Sequence, residues 1–174
     1  MKIYLTTKKK NVLSYLVRWF IKSEISHVGL SDDDLPIILH ASLMGVQFSC
    51  LKNFIEKNDI IYVYKLIDVN KEPFINILKK LDTPFDFFAI IGFIPVIFME
   101  KVFKKKIKNP FGSRKLLFCS EVIYLYFKEC IKYKFLPDNF LDGYYRETFS
   151  PQNILQLINK YPDYFLDISP KTLF

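Results

Sequence analysis

Apolar and polar positions alternate closely enough over residues 2–7 to predict a short strand. The spacing then changes. Val12, Leu13, Leu16, Val17, Trp19, Phe20 and Ile21 recur at helical intervals over residues 11–22, with Asn11 placed to cap them. Short β-type runs follow at residues 27–31, 37–41 and 46–49. They are separated by an acidic turn at 32–35 with Pro36 and by Gly45, which together predict an antiparallel meander. A short helix is expected at 51–57. The clearest strand pattern is IIYVYKLI at 60–67, rich in β-branched and aromatic residues.

Beyond it, helical patterns cover residues 72–81 and 118–133. Ser150–Pro151 opens a further helix to residue 159, serine as cap and proline in the first turn. A last short strand fits 164–168. Between them, residues 87–99 form an unbroken apolar run, FFAIIGFIPVIFM, interrupted by Gly92 and Pro95 and followed by a basic loop at 104–114. Strands gather early and helices late, which predicts an α+β fold with an antiparallel sheet packed against helices. The 174 residues fit one domain over 1–174 with a helical, basic insertion at about 84–115.

Composition narrows the function classes. Apolar residues make up 51% of the chain, enough for a packed core, which argues against disorder. Heavy use of Ile, Phe, Lys and Asn is the usage of an AT-rich genome, viral or low-GC bacterial. The formal charge of +7 favours anionic partners, although a lysine-rich solvated surface has the same balance. The apolar run at 87–99 falls short of the roughly 20 residues a bilayer span needs. With Lys101 and Lys104 to Lys106 behind it, segment 87–106 is a candidate for lipid contact. No nucleic-acid motif accompanies the basic loop, so a nucleic-acid partner is not expected. Met1 to Lys10 has no signal-peptide pattern, and three cysteines are too few and odd for a disulfide framework, so a cytoplasmic or other reducing compartment is expected.

Few residues can carry chemistry. The two histidines, His27 and His40, fall in neighbouring strands of the predicted meander, 13 residues apart, so pairing of the strands would bring their rings together. No Cys, Asp or Glu cluster at ligand spacing joins them, so neither a metal nor a cofactor is expected. A base oriented by a second polar group is the other reading. Cys119 stands at the start of the predicted helix in FCSEVI. There the helix dipole and unpaired N–H groups would favour a thiolate and hold an oxyanion. Cys50 and Cys130 read as packing residues. Glu121 reads as ion-paired or solvated, and Asp86 as a structural cap.

The chain resembles the circularly permuted branch of the NlpC/P60 superfamily, which is papain-like and includes YiiX- and YebB-like hydrolases and, more distantly, the lecithin:retinol acyltransferase group. The segments that carry the likeness are SHVGL at 26–30, HASLMGV at 40–46, TPFDFF at 83–88, FCSEVI at 118–123 and SPQNIL at 150–155, in that order. The resemblance implies a thiol peptidase or amidase acting on a peptide or acyl substrate. Cys119 would be the nucleophile, His27 the base and His40 the orienting third member, with Ser120 and Glu121 beside the oxyanion site. A lipid-directed thiol acyl hydrolase or acyltransferase is the first alternative. A non-catalytic binding or virion structural module on the same fold is the second. The apolar run and basic loop exceed the length and hydrophobicity the family leads one to expect.

Overall fold

Six strands pair into one antiparallel sheet in the computed structural model, which describes residues 1–8, 12–42, 45–78 and 119–170. The chain runs β1 (Lys2–Thr7), α1 (Val12–Ile21), β2 (His27–Ser31), β3 (Ile37–Ser42), β4 (Gly45–Cys50), α2 (Leu51–Lys57), β5 (Asp59–Leu66) and α3 (Glu72–Ile77). From residue 119 it continues as α4 (Cys119–Lys132), a 3-10 turn (Arg146–Thr148), α5 (Pro151–Lys160) and β6 (Phe165–Asp167). The strand order is β4-β3-β2-β1-β5-β6, so the expected meander β2–β4 forms one half of the sheet and β1, β5 and β6 the other. The α+β expectation holds. The insertion at 84–115, with its apolar run, basic loop, TPFDFF segment and Asp86, lies outside the described residues, as does the expected cap Asn11. Among the described residues no helix is long and apolar enough to cross a membrane.

Alternation along the strands separates two apolar clusters. Ile3, Leu5, Val28, Leu30 and Leu39 belong to the larger one, with α4 and α5 packed on it. From α4 it takes Ile123, Tyr126, Phe127 and Cys130, the 3–4 spacing of a buried helical stripe. Tyr4, Ile38, Val63 and Phe54 of α2 form the smaller cluster. Sequence signals explain the helix ends. Ser150 caps α5 by accepting from the Asn153 N–H, while Asn153 Oδ1 accepts from the Ser150 N–H at 2.8 Å, a reciprocal box behind Pro151. Helix α4 stops where Lys134 turns left-handed at φ 62, with the Phe135 N–H bonded to the Cys130 carbonyl.

Gly29 lets β3 approach β2. A Cβ there would stand 2.6 Å from Ile38 Cδ1 and 2.8 Å from Cγ1, inside a fully buried side chain.

The apolar residues of α1 recur at helical intervals, yet they do not all face the core: Val12 is 77% and Trp19 65% exposed. Apolar residues surround too much of this helix for one face to bury them all. Cys50, expected to be a packing residue, is instead exposed at the end of β4, because the last residue of the strand lies outside both apolar clusters.

Candidate active site

The histidines sit just past the end of the β2–β3 ladder. The β1–β2 ladder spans all of β2, from Thr6 opposite His27 to Lys2 opposite Ser31. The β2–β3 ladder holds only two pairs, Leu30 with Leu39 and Ser31 with Ile38. The ladder does not continue from Leu30 towards His27, and His27 and His40 stand beyond its end. His27 Nε2 lies 3.2 Å from His40 Nδ1, with the rings edge to face at 89°. On its far side, His40 Nε2 lies 2.8 Å from Ser49 Oγ on β4. Ser49 follows Gln47, the register partner of His40, by two residues, so it shares a sheet face with the histidine. Phe54 of α2 packs against both imidazoles, with ring centroids 5.7 Å and 5.2 Å away.

The start of β2 is anchored by hydroxyls. Ser14 Oγ of α1 and Ser26 Oγ are 2.6 Å apart, and Thr7 Oγ1 is 3.3 Å from the same Ser26 oxygen. Thr6 Oγ1 donates to the His27 carbonyl at 3.4 Å. Helix α1 and strand β1 thus fix the backbone that carries His27.

Burial holds His27 down to about 3, with the His40 and Lys8 charges acting the same way, and it holds His40 down to about 4 with Lys8. Both rings are therefore neutral at neutral pH. Neutral rings in a chain allow two proton arrangements. In one, His27 Nε2–H donates to His40 Nδ1 and His40 Nε2–H donates to Ser49 Oγ, leaving a lone pair on His27 Nδ1. In the other, every proton is reversed and His27 Nδ1 carries hydrogen.

Cys119 is the first residue of α4 and half-buried. The backbone N–H groups of Val28, Ser120 and Cys119 itself favour its thiolate, as the helix start leads one to expect. Burial outweighs them. It pushes the thiol up to about 11, and the Glu121 carboxylate adds to the rise. The helix-start donors favour a thiolate, but desolvation of the charged form exceeds what three N–H groups return. Among the described residues no hydrogen bond joins the His27 ring to the sulfur; the ring bonds His40. What links the two elements is Val28, next in chain to His27, whose N–H bears on the sulfur.

The adjacent candidates have structural partners. Ser120 is fully buried and its hydroxyl donates to the Phe149 carbonyl at 2.5 Å, so only its backbone N–H serves the sulfur. Glu121 is buried and accepts from Arg146 Nε at 3.1 Å, which ties the 3-10 turn to the start of α4. Tyr144 packs edge-on against Phe149, whereas Tyr145 is half exposed. Cys130 is buried on α4. Among the described residues no group of three or more His, Cys, Asp or Glu side chains is arranged to hold a metal ion.

Sequence reasoning missed Ser49 and Phe54, and it named Arg146 as a cleft residue without its partner Glu121. Ser49 could have been found from the hairpin register, since it lies two residues past the position opposite His40. Phe54 and Arg146 are brought in by tertiary packing and carry no local signal. No model of a known protein family matches the chain, and no curated protein matches it.

Proposed function

We propose that the protein is a cysteine-dependent hydrolase of circularly permuted papain-like (NlpC/P60) type, cleaving an amide bond, peptide or isopeptide, through an acyl-enzyme on Cys119. The observation that supports this most is the hydrogen-bonded row His27–His40–Ser49, with the N–H of Val28, the residue after His27, bearing on the Cys119 sulfur.

With resting thiol and imidazole both neutral, His27 works as a general base rather than as half of a preformed ion pair. In the first proton arrangement His27 Nδ1 takes the thiol proton as sulfur attacks the substrate carbonyl. Thiolate and imidazolium form together, each offsetting the cost of burying the other. His40 keeps the first tautomer in place and accepts from the cationic ring; Ser49 holds His40 in turn. The N–H groups of Cys119 and Ser120 at the start of α4, with that of Val28, are donors for the oxyanion. The imidazolium then protonates the leaving amine, the C–N bond breaks, and the acyl group remains on sulfur. Water, deprotonated by His27, attacks the thioester and releases the acid and the free thiol.

The test is hydrolysis of a panel of peptidyl and isopeptidyl coumarin amides. Turnover should vanish in Cys119→Ala and fall by about 10²- to 10⁴-fold in His27→Ala, the usual worth of a positioned base. Turnover that survives Cys119→Ala refutes the assignment. The elevated thiol favours one second reading, a non-catalytic binding module on the same fold. In that case wild type hydrolyses nothing in the panel, and Cys119→Ala binds partners as wild type does.

A further inference from the structure

Helix α1 turns an apolar row outward. Val12, Tyr15 and Trp19 are 77%, 60% and 65% exposed. Their i, i+3, i+7 spacing sets them within about 60° of one another around a helix that advances about 100° per residue. Ser14, buried and bonded to Ser26, lies on the opposite side. The row is therefore the outer face of a helix whose inner face is already engaged beside His27. Cations border it. Lys8 and Lys22 are exposed, Arg18 is half-buried on the same helix, and the sequence ahead of α1 reads Lys8-Lys9-Lys10. Glu24, the next acidic residue along the chain, accepts from the Tyr62 hydroxyl at 3.1 Å.

We infer that this outer face of α1 docks the protein on an anionic membrane surface, Val12, Tyr15 and Trp19 entering the headgroup boundary while Lys8 and Lys22, which flank the helix, meet lipid phosphates and carboxylates. Tryptophan and tyrosine suit that boundary because each has an apolar body with a polar edge. Long cationic side chains flanking them reach anionic headgroups, and attraction of this kind adds to the burial of a small apolar face. A second copy of the chain fits worse. A symmetric pairing through this helix would set the two basic clusters against each other. Three side chains also fall short of the roughly 800 Å² per partner of a stable interface. The inference stands apart from the chemistry at Cys119. It rests on residues of α1 and draws nothing from the apolar run at 87–99.

Trp19 is the protein's single tryptophan, so intrinsic fluorescence reports on this row alone. The full chain is titrated with phosphatidylcholine vesicles and with mixed phosphatidylcholine–phosphatidylserine vesicles, with and without brominated acyl chains. The expected result is a blue shift and bromine quenching of Trp19 with the phosphatidylserine mixture. Added salt should weaken both, and pure phosphatidylcholine should give little. Val12→Ser/Tyr15→Ser, which keeps the probe and alters only exposed positions, should weaken binding about tenfold or more. Cys119→Ala should bind as wild type. Emission that stays that of a water-exposed indole overturns the inference even if the protein sediments with vesicles, because another segment then carries the contact. Equal binding to neutral vesicles overturns it too. So does a blue shift that grows with protein concentration without lipid, which would identify a second copy as the occupant.

Discussion

His27 Nε2 and His40 Nδ1 stand 3.2 Å apart just beyond the end of the β2–β3 ladder at Leu30 and Leu39. Two neutral imidazoles are held there by burial, and neither can gain a proton without charging a site that the sheet and Phe54 enclose. The consequences for stability and catalysis follow from that pairing.

Acid should destabilise the fold earlier than carboxylate titration alone would. Both histidines have an ordinary value of 6.5, lowered to about 3 for His27 and about 4 for His40 on folding. Between those values the unfolded chain binds protons that the folded chain does not. Their contribution is thus fully present above pH 6.5 and is lost as pH falls towards 4 and below. Urea unfolding at a series of pH values should show stability falling from pH 7 to pH 4, with a limiting slope of about 2.7 kcal/mol per pH unit if two protons are taken up. His40→Gln should reduce that slope by roughly one proton. A flat profile between pH 7 and 4.5 would contradict the buried neutral pair.

Ser49 should act as a positioning residue. Its oxygen is 2.8 Å from His40 Nε2 and, in the productive tautomer, accepts that proton. Ser49→Ala should lower kcat by about tenfold with KM little changed, since positioning and tautomer control act on the transition state. Ser49→Thr, which keeps the hydroxyl, should recover most of the loss. If both variants match wild type, His40 is oriented by something else.

Gly29→Ala should lower stability by about 1–3 kcal/mol, the usual cost of forcing extra volume into a packed site. The new methyl would meet Ile38 at under 3.0 Å. Gly29→Ala combined with Ile38→Val should recover part of it. Equal stability of Gly29→Ala and wild type would refute the close approach of β2 and β3.

The cysteines should rank by exposure in the free protein. Cys50 is exposed, Cys119 half-buried with its thiol pushed up to about 11, and Cys130 buried with its thiol at about 12. Iodoacetamide labelling at pH 8, read by peptide mass spectrometry, should modify Cys50 first, then Cys119, then Cys130. Labelling of Cys119 should climb as pH rises from 9 towards 11. Fast labelling of Cys119 at pH 6 would instead mean a resting ion pair.

Much of the fold was legible because local patterns dominate it. The period-two runs marked the meander strands, Ser150–Pro151 marked the start of α5, and the positions of His27 and His40 about the turn foretold their meeting. Whatever depends on burial was not legible. The dipole argument for Cys119 counted N–H donors but not the desolvation that exceeds them. The apolar count of α1 did not reveal that Val12 and Trp19 face outward. Arg146 reaches Glu121 from 25 residues away, a contact made by the packing of the 3-10 turn on α4. The expectations placed on residues 84–115 lie outside the described residues.

The central claim is that Cys119 takes up an acyl group with His27 as its base. Intact-mass and peptide-mapping spectrometry after rapid acid quench, on protein incubated with a series of activated peptidyl and acyl esters, tests it most directly. The account predicts an acyl adduct on Cys119 alone, formed about 100-fold or more slowly in His27→Ala. Adducts absent from Cys119 across the series, or formed there equally fast without the His27 imidazole, would contradict it.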